Sequence, residues 1–231
     1  MLLRTGVENN MEGRSIAWAL EHPGCFAYGV DGEATLEALP AAWHSYTAWV
    51  AAHAAQSWLP DEPAEVHLEE TWDGYTIDEQ FEHAGQGYEV NAWFLHDWKP
   101  LTQVEIERGL QVLSWSRADL LATVAGLGEH KLNQSYPGER WSIAGILKHI
   151  AGAEWWYLDR LGLAFPRSEV PEQPFERLAK VRTHFSQVLS TLVGAKQVIG
   201  VSGEFWSPRK VLRRAVWHEL DHIEHIQKLL R

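Results

Sequence analysis

Hydrophobic residues in the second half of the chain recur every three or four positions over four long segments. This spacing is typical of amphipathic helices, and we predict helices over residues 102–126, 142–161, 175–192 and 207–231. Thr102 and Glu105 form a capping box at the first start, and Ser142 is suited to be an N-cap. Four helices of this length favour a four-helix bundle.

The first hundred residues have a different pattern, in which short apolar runs alternate with turn signals. We predict strands over residues 2–8, 15–20 and 25–30, with the first turn at Asn9, Asn10 and Gly13, and then a helix over residues 33–53 that Pro40 kinks or delays. Residues 66–72 resemble a further strand, and residues 75–98 show no clear pattern. The chain is therefore predicted to be α+β, with a small β-β-β-α domain in residues 1–100 and a helical bundle in residues 101–231.

The charge and cysteine content exclude several classes of protein. The 231 residues include 20 Lys and Arg against 31 Asp and Glu, a net charge of −11. This negative charge would repel nucleic acid, and the sequence has no basic segment that could bind a phosphate backbone. A single cysteine, Cys25, excludes an intramolecular disulfide. Because no apolar run is long enough for a signal peptide or a membrane span, we expect a cytoplasmic protein without membrane partners.

Three of the 12 histidines lie on one face of the last predicted helix. His218, His222 and His225 follow the four-and-three spacing of a helical stripe. The other positions of that stripe are apolar: Val211, Ala215 and Leu229. An imidazole in an apolar face needs a partner, either a metal ion or a hydrogen bond to a carbonyl or tyrosine. His149, midway along the second predicted helix, would supply a third nitrogen if the two helices pack together, and the residues alone leave both interpretations open.

Three segments, taken in order, resemble the DinB-like (YfiT-like) family of metal-binding four-helix bundles. They read WSRADLL at residues 115–121, RWSI and ILKHIA at 140–143 and 146–151, and HELDHI at 218–223. The resemblance covers about residues 101–231 and implies a divalent ion held by His149, His218 and His222. His225 stands where the family often has glutamine, which leaves the fourth coordination position open. The metal would be zinc, nickel, copper or iron.

The N-terminal part resembles HicB-like domains over about residues 1–55. The matching residues are EGR at 12–14, Ala17, HPGC at 22–25, Gly29 and the helix that starts at Glu33. This resemblance implies a β-β-β-α module for partner binding or dimerisation. HicB-like antitoxins bind an RNase, but the acidity of this chain and its lack of a DNA-binding segment make that role the least favoured.

Two functional hypotheses follow. In the first, the protein is a metal-dependent enzyme, either a thiol or small-group transferase that uses a small thiol substrate, or a hydrolase. Trp155, Trp156 and Trp217 would then either wall a pocket or belong to the core. His225 would be a fourth ligand, a second-shell group or a structural residue, and Glu154 and Asp221 would be second-shell groups or solvated or capping residues. In the second, it is a non-catalytic, stress-linked binding protein with a structural metal. The catalytic residues are unknown, and a homodimer is compatible with either hypothesis.

Overall fold

The computed structural model describes residues 1–60 and 62–231. The chain divides into two compact units. The first comprises Met1–Lys99 and Val198–Lys210, and the second comprises Pro100–Gln197 and Val211–Arg231. The assignment of separate roles to residues 1–100 and 101–231 stays a prediction. No helix of the described residues is long and apolar enough to cross a bilayer.

A four-stranded mixed sheet forms the centre of the first unit. Its elements are β1 (Leu2–Met11), β2 (Arg14–Ala19), β3 (Phe26–Gly29), helix α1 (Gly32–His53) and β4 (Glu65–Asp73). The strand order is β3-β2-β1-β4, with β1 antiparallel to β2 and parallel to β4. The α+β class and the predicted β-β-β-α order are confirmed, whereas the HicB-like identity of this unit stays a prediction.

The first turn lies later than predicted. Asn9 and Asn10 belong to β1, and the chain reverses at Glu12 and Gly13. Asn10 and Gly13 have φ angles of 59° and 78°, the left-handed region that asparagine and glycine tolerate best. The pairing of β1 with β2 shifts in register between Glu8 and Met11. The strand therefore continues past Asn9 and Asn10 through an irregularity, although these residue types are typical of turns.

Helix α1 begins one residue earlier than predicted and passes through Pro40 without interruption. The Asp31 side chain accepts a hydrogen bond from the Ala34 amide at 2.9 Å and caps the first turn. Leu39, Trp43 and Val50 are almost fully buried, and α1 contacts all four strands of the sheet. The apolar stripe of α1 therefore supplies one side of the core of this unit.

Tertiary contacts order the segment that has no clear sequence pattern. It contains β5 (Thr76–Ile77), β6 (Tyr88–Glu89) and a 3-10 helix, Leu95–Trp98. The buried Glu8 carboxylate accepts hydrogen bonds from the Ala92 amide at 2.8 Å and from the Trp18 indole at 3.2 Å. A Cβ atom on Gly6 would come within 2.8 Å of the Phe94 ring, so glycine allows this aromatic side chain to lie against the sheet.

A hairpin late in the chain also belongs to the first unit. Its strands are β7 (Ile199–Val201) and β8 (Glu204–Trp206), and the sequence pattern did not predict them. The buried Glu204 carboxylate accepts hydrogen bonds from the Tyr88 hydroxyl at 2.8 Å and from the Trp206 indole at 3.0 Å. The Tyr88 bond joins the hairpin to a residue 116 positions earlier, and the pattern of residues along the sequence does not predict contacts at that separation.

The second unit consists mainly of helices, as predicted. They are α2 (Gln103–Val124), α3 (Glu129–Asn133), α4 (Ile143–Arg160), α5 (Pro174–Ser190) and α6 (Pro208–Leu229). The four long helices match their predicted bounds to within two residues, and the short α3 was not predicted. Thr102 and Glu105 form the expected capping box, and Ser142 caps α4 through the Gly145 amide. Capping signals therefore located the helix starts correctly.

The hydrophobic core of the bundle consists of apolar side chains that are almost fully buried. Its buried members come from α2, α4, α5 and α6 and comprise Leu120, Val124, Ile143, Ile146, Leu147, Ile150, Ala151, Leu178, Val181, Ile223 and Ile226. A Cβ atom on Gly109 would lie 2.7 Å from a methyl carbon of Leu212, so the absence of a side chain lets α2 approach α6 closely.

A buried ion network crosses this core and joins all four long helices. Arg117 of α2 donates to Glu219 of α6 at 2.6 Å and to Glu154 of α4 at 3.1 Å. Arg182 of α5 donates to the same two carboxylates, at 2.7 Å to Glu219 and through a shorter contact to Glu154. Ser116 also donates to Glu219. Glu154 and Glu219 are 1% and 0% exposed, so both carboxylates depend on these donors.

Each charged group of the network stabilises the charged form of its partners. Burial alone would raise the pKa of Glu219, but Arg182 and Arg117 together with the Ser116 hydrogen bond hold that pKa below its usual value. Burial would likewise lower the pKa of Arg182, and the carboxylates of Glu154 and Glu219 raise it instead. Glu219 and Arg182 therefore both stay charged inside the bundle.

Removing one cation from this network should destabilise the bundle strongly. In Arg182→Met, two buried carboxylates lose a partner, and the free energy of unfolding should fall by about 3–5 kcal/mol. Lys180→Met changes a cation of the same helix whose ion pair with Glu169 is largely exposed, and it should cost less than about 1 kcal/mol. Urea denaturation of both variants measures the difference, and equal losses would contradict the assigned role of the network.

Candidate metal centre

Two helices of the second unit present the three histidines to one another. His149 lies near the middle of α4, and His218 and His222 are one turn apart on α6. His218 and His222 are each 9% exposed, whereas the apolar Val211 and Ala215 of the same stripe are at most 1% exposed. The polar atoms therefore lie within the buried face of α6, as the spacing predicted.

The ring nitrogens of the three side chains converge. The Nε2 atom of His218 lies 3.0 Å from Nε2 of His149 and 3.2 Å from Nε2 of His222. One nitrogen from each residue lies within 4.8 Å of the other two, and no second group of this kind occurs in residues 1–60 and 62–231. In a tetrahedral site with metal–nitrogen distances of 2.0–2.1 Å, neighbouring nitrogens are about 3.3 Å apart. The donor type and the spacing therefore fit a divalent ion.

Electrostatics keep these imidazoles neutral, the form that can bind a metal. Burial is the main cause of a lowered pKa at all three residues. The other imidazoles of the cluster and Arg214 lower the pKa of His218 further, and that of His222 falls to about 4. Three nitrogens that resist protonation face one another, and the Nδ1 atom of His222 is buried with no hydrogen-bond partner among the described residues.

Aromatic side chains surround the cluster. The Trp141 ring stacks on His149 with centroids 4.3 Å apart and planes inclined by 26°. The Arg140 guanidinium lies 4.7 Å from the centre of the Trp141 ring and lowers the pKa of His149 through its charge. Tyr157 and Trp217 contact His218 edge-on and at a tilt, at 6.3 and 5.8 Å. These rings exclude water from much of the site.

The three predicted second-shell residues have different environments. The Nε2 atom of His225 lies 2.9 Å from the Glu139 carboxylate, and its ring centroid is 5.8 Å from that of His222. The negative charge of Asp221 favours the protonated form of His222, so it offsets part of the lowering of the His222 pKa by burial. Glu154 is neither solvated nor bonded to an imidazole, because Arg117 and Arg182 occupy its carboxylate. These cationic partners come from α2 and α5, and a role of His225, Asp221 or Glu154 beside the metal ligands stays a prediction.

The three tryptophans predicted to wall a pocket also have different environments. Trp217 lies beside His218 of the cluster. The Trp155 indole donates to the Phe165 carbonyl at 2.9 Å, and Trp156 contacts Tyr157 and Arg160. Trp141 is a site residue that the sequence pattern did not reveal. Its position immediately before the Ser142 N-cap was the available signal, because an aromatic residue there folds back over the first turns of the helix.

A family model described as the DinB superfamily matches residues 113–226. The match includes all three histidines of the cluster, and the DinB-like resemblance is confirmed. No curated protein matches the chain significantly in sequence.

Two solved structures resemble the chain in fold. YfiT from Bacillus subtilis, described as a probable metal-dependent hydrolase with an unusual four-helix bundle topology, is 20% identical, and the match covers 56% of this chain and 87% of that chain with a TM-score of 0.45. TT2238, described as a four-helix bundle protein, is also 20% identical, and the match covers 53% of this chain and 98% of that chain with a TM-score of 0.43.

The lowered pKa values predict a pH dependence of stability for the metal-free protein. In the unfolded chain His222 binds a proton near its ordinary pKa of 6.5, whereas in the folded chain it does so only near pH 4. The unfolded state therefore binds more protons between these values, and stability should decrease as the pH falls from about 6.5 towards 4.

Urea denaturation in the presence of a chelator should show this decrease, and it should be smaller in His222→Asn. His184→Asn, which changes a histidine bonded to the Leu163 carbonyl, should retain the full decrease. NMR titration of the imidazole protons provides a direct measurement. A midpoint for His222 near its ordinary value would disprove the prediction.

Proposed function

We propose that the helical unit, whose residues 113–226 match the DinB superfamily model, is a metal-dependent enzyme domain. The ion is divalent and is held by His149, His218 and His222. The single observation that carries the proposal is the convergence of three Nε2 atoms from two helices, on the partly buried His149 and the buried His218 and His222. A stripe position that is buried among apolar residues would otherwise hold an apolar side chain.

The donor set favours a catalytic rather than a structural ion. Structural zinc sites are normally closed by four protein ligands, whereas catalytic sites use three and leave a position for water or substrate. Among the described residues, the cluster offers three nitrogen donors. The nearest further histidine, His225, is directed to Glu139. Imidazole accepts zinc, nickel, copper and iron, so the identity of the ion depends on its supply in the cell.

The bound ion would lower the pKa of a thiol or a water molecule and so provide a nucleophile at neutral pH. The protein contributes the conditions for this chemistry. Burial keeps the three imidazoles unprotonated. Trp141 covers one face of His149 and fixes the orientation of its ring. We favour transfer to or from a small thiol as the reaction, with hydrolysis as the second candidate.

The structure also supports a bundle that folds without the ion. Its apolar core and the Arg117–Glu154–Arg182–Glu219 network hold the helices together independently of the histidines. A purely structural metal, as in a non-catalytic binding protein with an N-terminal partner or dimerisation module, would be redundant in such a bundle. Removing the ion should therefore abolish chemistry more completely than it affects the fold.

Metal analysis of protein purified without an affinity tag tests the site. The wild type should contain about one divalent ion per chain, the number that one three-histidine site holds. His218→Ala/His222→Ala should lose it. His184→Ala, a histidine of the same unit outside the cluster, should retain it. A wild type that folds normally but cannot be loaded with zinc, nickel, copper or iron would refute the proposal.

Chelation distinguishes the two functional hypotheses. For a catalytic ion, removal should abolish thiol transfer or ester hydrolysis while the melting temperature falls by only a few degrees, and restored metal should restore the rate. For a structural ion, the melting temperature should fall sharply, as expected when a tightly bound ligand is lost, and no thiol–electrophile pair should react even in the loaded protein.

A further inference from the structure

The first unit contains a cavity of about 410 Å³, a volume within the range of small-molecule sites. It lies where β5 and β6 meet the turn of the late hairpin. Its lining residues are Ile77, Asp78, Glu79, Phe81, Gln86, Gly87, Tyr88 and Ser202. All of them belong to one compact unit, which is separate from the histidine cluster.

Two aromatic side chains form the open wall of this cavity. Phe81 is 58% exposed and Tyr88 is 37% exposed, while Ile77 forms a buried floor. The Tyr88 hydroxyl donates to Glu204 at 2.8 Å, which anchors that ring. Exposed aromatic rings beside a concave surface are typical of a binding site.

One residue of the cavity has an unfavourable backbone conformation. Phe81 has a φ angle of 63°, and this left-handed conformation is unfavourable for a bulky aromatic residue; such strain is often found at ligand sites. The positive φ angle of Ser202, 49°, is normal where it lies, because Ser202 and Gly203 form the two-residue turn of the β7–β8 hairpin. The fold therefore holds Phe81 in an unfavourable conformation with its ring more than half exposed.

The two charged residues that line the cavity are both acidic. Asp78 and Glu79 line it, and the Asp78 carboxylate is fixed by the amides of Gln80 and Glu82 at 2.9 and 3.0 Å. No lysine or arginine occurs between residues 15 and 98. Residues 1–100 contain 17 Asp and Glu against 3 Lys and Arg, a net charge of −14, whereas residues 101–231 carry +3. An anionic ligand would be repelled here.

We propose that this cavity binds an organic cation, an ammonium or guanidinium group, between the Phe81 and Tyr88 rings and the Asp78 and Glu79 carboxylates. A cation gains both from the electron-rich face of an aromatic ring and from a nearby carboxylate. The same chemistry is offered by a free small amine and by a lysine or arginine side chain of a polypeptide.

Binding to the full-length protein can be followed by amide chemical shifts in NMR. Tetramethylammonium should shift the resonances of residues 77–88, whereas tert-butanol, a neutral molecule of similar shape, should not. Because the charges are exposed, added salt should weaken binding. A dilysine peptide and its acetylated form distinguish the source: tighter binding of the free-lysine peptide than of tetramethylammonium indicates a polypeptide ligand, and weaker binding indicates a small amine.

Matched variants test the assigned residues. Phe81→Ala and Glu79→Gln should each raise the dissociation constant about two- to fivefold, the range expected for one exposed cation–π contact or ion pair. Phe205→Ala and Glu37→Gln change an exposed aromatic and an exposed carboxylate outside the cavity, and should leave it unchanged. Phe81→Gly also relieves the strained backbone, so it should weaken binding without lowering the melting temperature.

The proposal is overturned if tert-butanol produces the same shifts as tetramethylammonium, or if no resonance of residues 77–88 moves. It is also overturned if the Phe205 and Glu37 variants lose as much affinity as the Phe81 and Glu79 variants.

Discussion

Arg117 and Arg182 share the carboxylates of Glu154 and Glu219 inside the helical unit, and the rest of the bundle depends on this interaction. Each of the four residues comes from a different long helix, so the network fixes how the helices are turned and how far they are shifted along one another. A buried carboxylate without a cation is costly, and sliding one helix by a turn would leave at least one charge unpaired. The network therefore selects one arrangement from the many that apolar stripes alone would allow.

That arrangement positions the histidines. Glu219 is the neighbour of His218 in sequence, and Glu154 follows His149 on α4 after little more than one turn. Fixing the two carboxylates therefore also fixes the two helix segments from which the imidazoles project. Burial then keeps the rings neutral, and Trp141 holds one of them from outside the helix. Charged residues determine the geometry of the site, and neutral ones provide its donors.

The first unit is ordered by a different physical principle. Buried carboxylates again hold the structure together, but here Glu8 and Glu204 accept hydrogen bonds mainly from backbone amides and indoles. The Glu8 bond fastens the segment around Ala92 to the central sheet, and the bonds of Tyr88 and Asn91 to Glu204 fasten the late hairpin to that segment. The same unit carries most of the negative charge of the chain, which leaves its cavity with an acidic wall.

The sequence by itself determined the α+β class, the starts of the long helices and the histidine stripe of α6. These features depend on residues a few positions apart, through capping and the repeat of the helix. Only the tertiary structure decided that Glu154 pairs with arginines, that Trp141 stacks on His149, and that residues 199–206 join the first unit. Each of those contacts links side chains that are distant in sequence or are set by side-chain orientation, and a one-dimensional pattern carries no record of which distant residue will be the partner. The physical reason is that a polar side chain needs a hydrogen-bond or ion-pair partner once it is buried. The packing of the folded chain brings that partner from a distant part of the sequence.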